Sequence, residues 1–184
     1  LNGGSLAFTR PSTINGTLAI AGGTLIANGN LSVSAFNLSG GAYNGSGNLT
    51  VTNAFSHTTP GIFNTTGAVS ITQAAGNLLL TQPLNTGSLT LNVPLGGLTI
   101  QDAIVNAAGT LDVTVRDNLS VTAVAAPASL LSTGLQTIAA NGVSVHGAAS
   151  GANLGAQITG QGGQNITVGA NGITLLAGSG SGNF

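Results

Sequence analysis

The chain has 184 residues and is almost uncharged: only Arg10, Asp102, Asp112, Arg116 and Asp117 carry formal charge, 3% of the whole. A typical soluble protein is about a quarter charged; two arginines cannot neutralise a phosphate track, which excludes nucleic acid as a partner, and they cannot hold a polybasic attraction to anionic membrane. No run of about 18 apolar residues could span a bilayer as a helix, and the ~10-residue alternating segments and aromatic girdles of an outer-membrane barrel are missing, with no Trp and a single Tyr.

In chain order the sequence reads as short strands separated by turns. From Leu1 to Thr66 apolar positions recur at Leu6, Ile14, Leu18, Leu25, Leu31, Phe36, Tyr43, Leu49, Phe55 and Ile62. Between them stand Asn15-Gly16, Gly22-Gly23, Asn28-Gly29, Gly40-Gly41 and Asn44-Gly45, residue pairs that tolerate positive φ. The clearest stretch is Gly67 to Val124, where one phrase returns: a turn residue, then apolar, small or polar, apolar. Examples are Gly67-Ala-Val69-Ser-Ile71, Gly87-Ser-Leu89-Thr-Leu91 and Gly109-Thr-Leu111-Asp-Val113. That alternation is the signature of a half-buried strand. The five prolines mostly avoid strand centres, where they would remove a ladder hydrogen bond.

The spacing of the phrases sets the fold. Leu49, Val69, Leu89 and Leu111 are 20, 20 and 22 residues apart; Leu78, Leu98 and Leu119 are 20 and 21 apart; Ile62, Leu84, Ile104 and Val124 are 22, 20 and 20 apart. Three interleaved ladders with one period predict an all-β parallel β-helix (β-solenoid) with three short strands per coil of ~20 residues. Backwards, the first ladder continues through Leu31 to Ile14, the second through Phe55 and Phe36 to Leu18, and the third through Tyr43 and Leu25 to Leu6. Forwards, the first runs to Leu130, the second to Ile138 and Ile158, and the third to Val143 and Ile166, with Ile173 returning to the first. The register is loose between Gly147 and Gly155. The sum is about nine coils in one domain over residues 1–184, a rod ~43 Å long. Neither end reads as a cap, and residues 178–184 form a Gly/Ser-rich tail. The expectation is a segment of a longer chain, or copies that stack end to end.

The candidate sites are few. Asp102, Asp112, Arg116 and Asp117 form the one charge cluster; as paired carboxylates Asp102 and Asp112, with Arg116, offer a carbohydrate-binding or carbohydrate-cleaving groove, against the plainer reading of a solvated turn. No catalytic, cofactor or metal site is assigned: His57 and His146 read as polar surface residues without companion ligands, cysteine is absent, and no calcium-roll or nucleophile-elbow motif occurs. Thr50, Thr52, Thr114 and the threonines of other phrases raise an ice-binding Thr-x-Thr wall as a third reading, which the outward column Ser32, Thr50, Ser70, Thr90, Asp112 interrupts. Eight Asn-x-Ser/Thr sequons occur in a chain rich in all three residues. Asn30, Asn48, Asn77, Asn118 and Asn165, just before strands, read as amide ladders along the axis, and the steps Phe36 to Phe55 and Tyr43 to Phe63 as stacked rings.

The phrases Gly47-Asn-Leu-Thr-Val-Thr52, Gly87-Ser-Leu-Thr-Leu91, Gly109-Thr-Leu-Asp-Val-Thr114 and Asn118-Leu-Ser-Val-Thr-Ala123 closely resemble repeats of the filamentous haemagglutinin family, large exoproteins of Gram-negative bacteria exported by two-partner secretion or as autotransporter-type adhesins. The resemblance covers nearly the whole chain and implies a right-handed parallel β-helix forming a secreted stalk or fibre at the cell surface. It implies a non-enzymatic adhesin repeat with roles in cell adhesion and biofilm. Its partners would be other copies and a receptor or glycan on a host or neighbouring cell. The Asn-Pro-Asn-Gly-Ile motif of the family's secretion domain is absent, which places this stretch among the internal repeats.

Overall fold

The computed structural model describes residues 1–57, 59–149 and 154–178. Within them the protein has no helix; it is a β-solenoid whose strand pairs are all parallel. The first three coils each hold two strands: β1 (Asn2–Phe8) and β2 (Ser12–Ile20), β3 (Gly22–Ala27) and β4 (Leu31–Leu38), β5 (Ala42–Gly45) and β6 (Leu49–His57). The next three hold three: β7 (Ile62–Thr65), β8 (Ala68–Thr72) and β9 (Leu78–Leu80); β10 (Leu84–Thr86), β11 (Ser88–Val93) and β12 (Leu98–Gln101); β13 (Ile104–Ala107), β14 (Leu111–Val115) and β15 (Asn118–Thr122). The last two again hold two: β16 (Ala128–Ser132) and β17 (Gln136–His146), β18 (Ala156–Gly160) and β19 (Gln164–Leu176).

Three walls result. Wall one stacks Leu31, Leu49, Val69, Leu89 and Leu111 in register, and wall two stacks Leu78, Leu98 and Leu119. Wall three is the eight-stranded sheet β1-β3-β5-β7-β10-β13-β16-β18. Walls one and two form a single sheet because β2, β4, β6 and β17 run continuously around the corner, each through a register shift. In coils four to six that corner is a loop instead. Pro94, which has no N–H to give a ladder, lies in one of them.

Alternation along each strand sends Leu, Ile and Val inward, and the buried side chains form one core from Leu18 to Ala148. In coils two to four it is filled by rings. Phe36 stacks on Phe55 at 5.6 Å and 8°, Tyr43 stacks on Phe63 at 4.9 Å and 28°, and Phe36 meets Tyr43 edge-on at 5.3 Å. Both aromatic steps anticipated from the sequence are thus in place. The corner from wall two into wall three needs glycine: Gly23 and Gly41 stack with φ of 73° and 68°, and a Cβ on Gly41 would lie 2.3 Å from the Gly23 carbonyl oxygen.

Several ladder assignments need correction. Ile62 and Ile104 do not line the third inner wall: they are 61% and 44% exposed, and the inward positions belong to Phe63 and Val105, which pair with Leu84. Each pair offers two adjacent apolar residues, so alternation alone is degenerate, and a slip of one residue exchanges the faces. Val124 is also exposed, at 56%, and sits in the 123–127 loop. That loop delays the third-wall strand to β16, so Leu130, Ile138 and Val143 fall one wall back, and Ile158, Ile166 and Ile173 fall two walls back. Leu130 stacks on Val105 in wall three, Ile138 on Val113 in wall one, and Val143 on Leu119 in wall two. Ile158 then follows Leu130, Ile166 follows Ile138, and Ile173 follows Val143. At the other end Ile14 faces Val33 and Ser12 faces Leu31. Each of walls one and three holds eight rungs, hence seven full turns and not nine coils, about 34 Å from first rung to last. The Gly/Ser tail, apart from Gly178, and residues 150–153 of the loosely registered stretch lie outside the described residues.

Candidate functional site

The charge cluster does not assemble into one site. Asp102 follows β12 at the exit from wall two and adopts φ 55°. Its Oδ1 accepts hydrogen bonds from three successive backbone N–H groups, of Val124 (2.6 Å), Ala125 (2.9 Å) and Ala126 (3.0 Å). Partial burial pushes its carboxyl pKa up, but the three N–H donors and Gln101 together outweigh that and hold it below the usual value. This oxygen closes the 123–127 loop; it is committed to the backbone. Asp112 lies on another wall, exposed near the start of β14 between Thr90 and Thr137. Arg116 Nε donates to its neighbour Asp117 at 3.2 Å with both side chains more than half exposed, a pair worth about 0–1 kcal/mol.

The histidines also differ from expectation. His57 is buried, with 1% exposure, stacked on Leu38 and 6.4 Å from the Phe63 ring. Its Nε2 donates to the Gly61 carbonyl at 3.1 Å, which makes Nδ1 the bare acceptor, and Nδ1 has no partner among the described residues. Burial holds the His57 pKa below its ordinary value against the smaller opposing pull of the Gly61 carbonyl. Its place is set by the strand period: two residues after inward Phe55, position 57 faces inward too. Tyr43, fully buried, has its hydroxyl pushed up by burial. His146 is half-buried at the end of β17. Among the described residues no three of His, Cys, Asp and Glu gather closely enough to hold a metal ion.

What the coils do gather is amides, in two different ways. At the corners they are engaged. Asn30 Oδ1 accepts the Asn48 N–H (3.1 Å), Asn48 Oδ1 accepts the Ala68 N–H (3.0 Å), Asn77 Oδ1 accepts the Gly97 N–H (2.9 Å), and Asn171 Nδ2 donates to Asn118 Oδ1 (2.9 Å). The axial ladder anticipated at Asn30, Asn48, Asn77 and Asn118 is therefore mainly amide to backbone, which satisfies N–H groups where the strand pairing lapses; Asn165 sits elsewhere, at an outward position of wall one facing Thr137.

On the outer face of wall three a second column, Asn44, Asn64, Asn85 and Asn106, stands in register on β5, β7, β10 and β13. With its amide nitrogen turned toward them, Asn44 donates to the Asn64 carbonyl at 3.2 Å. The side-chain amides of Asn64, Asn85 and Asn106 make no hydrogen bond among the described residues, and a shallow groove runs over them beside Thr66, Thr86 and Ala108. Alongside lie Ile62, Pro83 and Ile104, all exposed. Registering the third ladder on Ile62 and Ile104 hides this column, because it turns the asparagines inward. The signal is the recurring trio Phe63-Asn64-Thr65, Leu84-Asn85-Thr86, Val105-Asn106-Ala107, with steps of 21 residues. Wall one carries the hydroxyl column Ser32, Thr50, Ser70, Thr90, with Asp112 next in register.

Comparison with known proteins returned no matching family model, no matching curated protein and no matching solved structure. The outward faces and the rod itself carry the functional argument.

Proposed function

We propose that this chain is a structural and adhesive solenoid, a stretch of extracellular stalk or fibre of the kind its haemagglutinin-like phrases suggest, secreted to the surface of a Gram-negative bacterium. The observation that carries this reading is an unbroken apolar core running along the rod inside walls whose outward positions are nearly all uncharged. Ladders of parallel hydrogen bonds resist local opening. A near-neutral surface removes repulsion between copies.

The outermost rung supports propagation. In β19, Ile166, Ile173 and Leu175 stack on Ile138, Val143 and Val145, yet stand 37%, 54% and 72% exposed. A further rung, of this chain or of another copy, buries them and pairs the edge of β19 that no strand among the described residues covers.

Electron microscopy of the purified chain tests the reading. Filaments with a ~4.8 Å axial repeat, or discrete rods about as long as the stacked rungs, are the expected outcomes. Amorphous aggregates or compact globules without a rod axis refute it.

A further inference from the structure

We infer that the outer face of wall three, over β7, β10 and β13, binds an extended neutral oligosaccharide lying along the rod axis. This deepens the adhesive reading above, on which it rests, by naming the ligand class and the face that takes it.

An asparagine amide offers two donors and an acceptor. The corner amides of Asn30, Asn48 and Asn77 spend that acceptor on backbone. Asn64, Asn85 and Asn106 spend nothing among the described residues, although they are exposed or half-buried in register one rung apart. Free amides that accept and donate at one point suit hydroxyl groups, which do the same.

Beside the amides, Ile62, Pro83 and Ile104 form a short apolar strip, with Ile62 61% exposed. A pyranose ring has the matching two-sided character: a C–H face that covers apolar carbon and an equatorial rim of hydroxyls. The rungs repeat at ~4.8 Å, close to the advance per sugar of an extended, equatorially linked chain. Successive sugars therefore meet the same pair, one amide and one apolar residue. Charge selects among polymers. No ionised side chain stands in the two columns, and Asp102, just before Ile104, has Oδ1 committed to Val124, Ala125 and Ala126. An anionic chain gains no partner here, and a neutral one loses none. Ladder pairing fixes the backbone of both columns, so only the side-chain rotamers are left to order on binding.

Titration calorimetry with cellohexaose and mannohexaose, both neutral and β-1,4-linked, tests the inference. Saturable binding of at least one is expected, strengthening with oligomer length up to about three or four sugars, the span of the asparagine rungs, and level beyond. Replacing Asn64, Asn85 and Asn106 together by Ala lowers affinity about tenfold or more, while Thr50→Ala with Thr90→Ala on wall one leaves it unchanged. Circular dichroism checks that the triple variant folds; should it not, the single exposed change Asn85→Ala carries the test, with a loss of about threefold or more expected. The inference is overturned by binding of neither sugar at millimolar concentration, by equal loss in the wall-one variant, or by asparagine variants that keep full sugar affinity and lose only self-association. Rods seen by microscopy without sugar binding defeat this inference and leave the stalk reading standing. Sugar binding by a protein that forms no rods does the reverse.

Discussion

Asp102 separates a structural carboxylate from a catalytic one, and its removal has a calculable cost. A hydrogen bond to a charged acceptor contributes roughly 1.5–3 kcal/mol, but here three donors share one oxygen, and Val124 and Ala125 are exposed residues whose N–H groups water can reach once the carboxylate is gone. A net loss of about 2–3 kcal/mol on Asp102→Ala follows. The φ of 55° adds about 1 kcal/mol for alanine, which tolerates the left-handed region less well than aspartate does. Asp102→Gly escapes that addition, and Asp102→Asn keeps an acceptor at the same place and loses only the charge, about 1 kcal/mol. The stability order is therefore wild type, Asn, Gly, Ala, read from thermal midpoints together with hydrogen exchange of the amides of residues 124–126. The pH dependence has a definite sign. The folded pKa lies below the ordinary 3.8, so the charge contributes in full above 3.8 and its contribution disappears as pH falls through the lower folded value. Variants equal to wild type at neutral pH, unchanged amide protection, or an advantage over Asn that survives full protonation each refute the reasoning.

Burying His57 with its pKa held below the ordinary 6.5 means the folded state resists protonation that the unfolded state accepts, so stability is complete above 6.5 and declines as pH falls below it; His57→Leu flattens the thermal midpoint over that window. Gly45→Ala places a Cβ 2.1 Å from the Ala27 carbonyl oxygen at φ 134° and costs about 2–4 kcal/mol, whereas Gly76→Ala, at φ 69° in open space, costs only about 1; chemical denaturation of the two variants side by side checks the contrast. Phe63→Ala removes a buried ring stacked on Tyr43 and costs about 3–5 kcal/mol, while Ile62→Thr, one residue earlier and exposed, stays within about 0.5. Equal losses at residues 62 and 63 refute the register of wall three.

The winding of the chain was legible because a solenoid writes its period into the sequence: each rung buries the same kind of face, so Leu49, Val69, Leu89 and Leu111 recur at one spacing and stack as that spacing requires. The same logic located the Phe36–Phe55 and Tyr43–Phe63 stacks. Legibility failed where two neighbours were equally apolar. Ile62 and Phe63, or Ile104 and Val105, satisfy alternation in either register, and only the rungs above and below decide which enters the core. It failed again at residues 123–127, where a loop absorbs residues without changing the local pattern and sets Leu130, Ile138 and Val143 one wall back, and after Val143, where a second delay sets Ile158, Ile166 and Ile173 back by one wall more. The surface followed from those choices. Turning Phe63 and Val105 inward turns Asn64 and Asn106 outward, so the free amide column is a product of register, and the burial of His57 likewise follows from its place beside Leu38. Period and composition, which depend on residues along the chain, fixed the rod; the identity of its faces depended on contacts between coils about twenty residues apart, and those exist only once the coils have stacked.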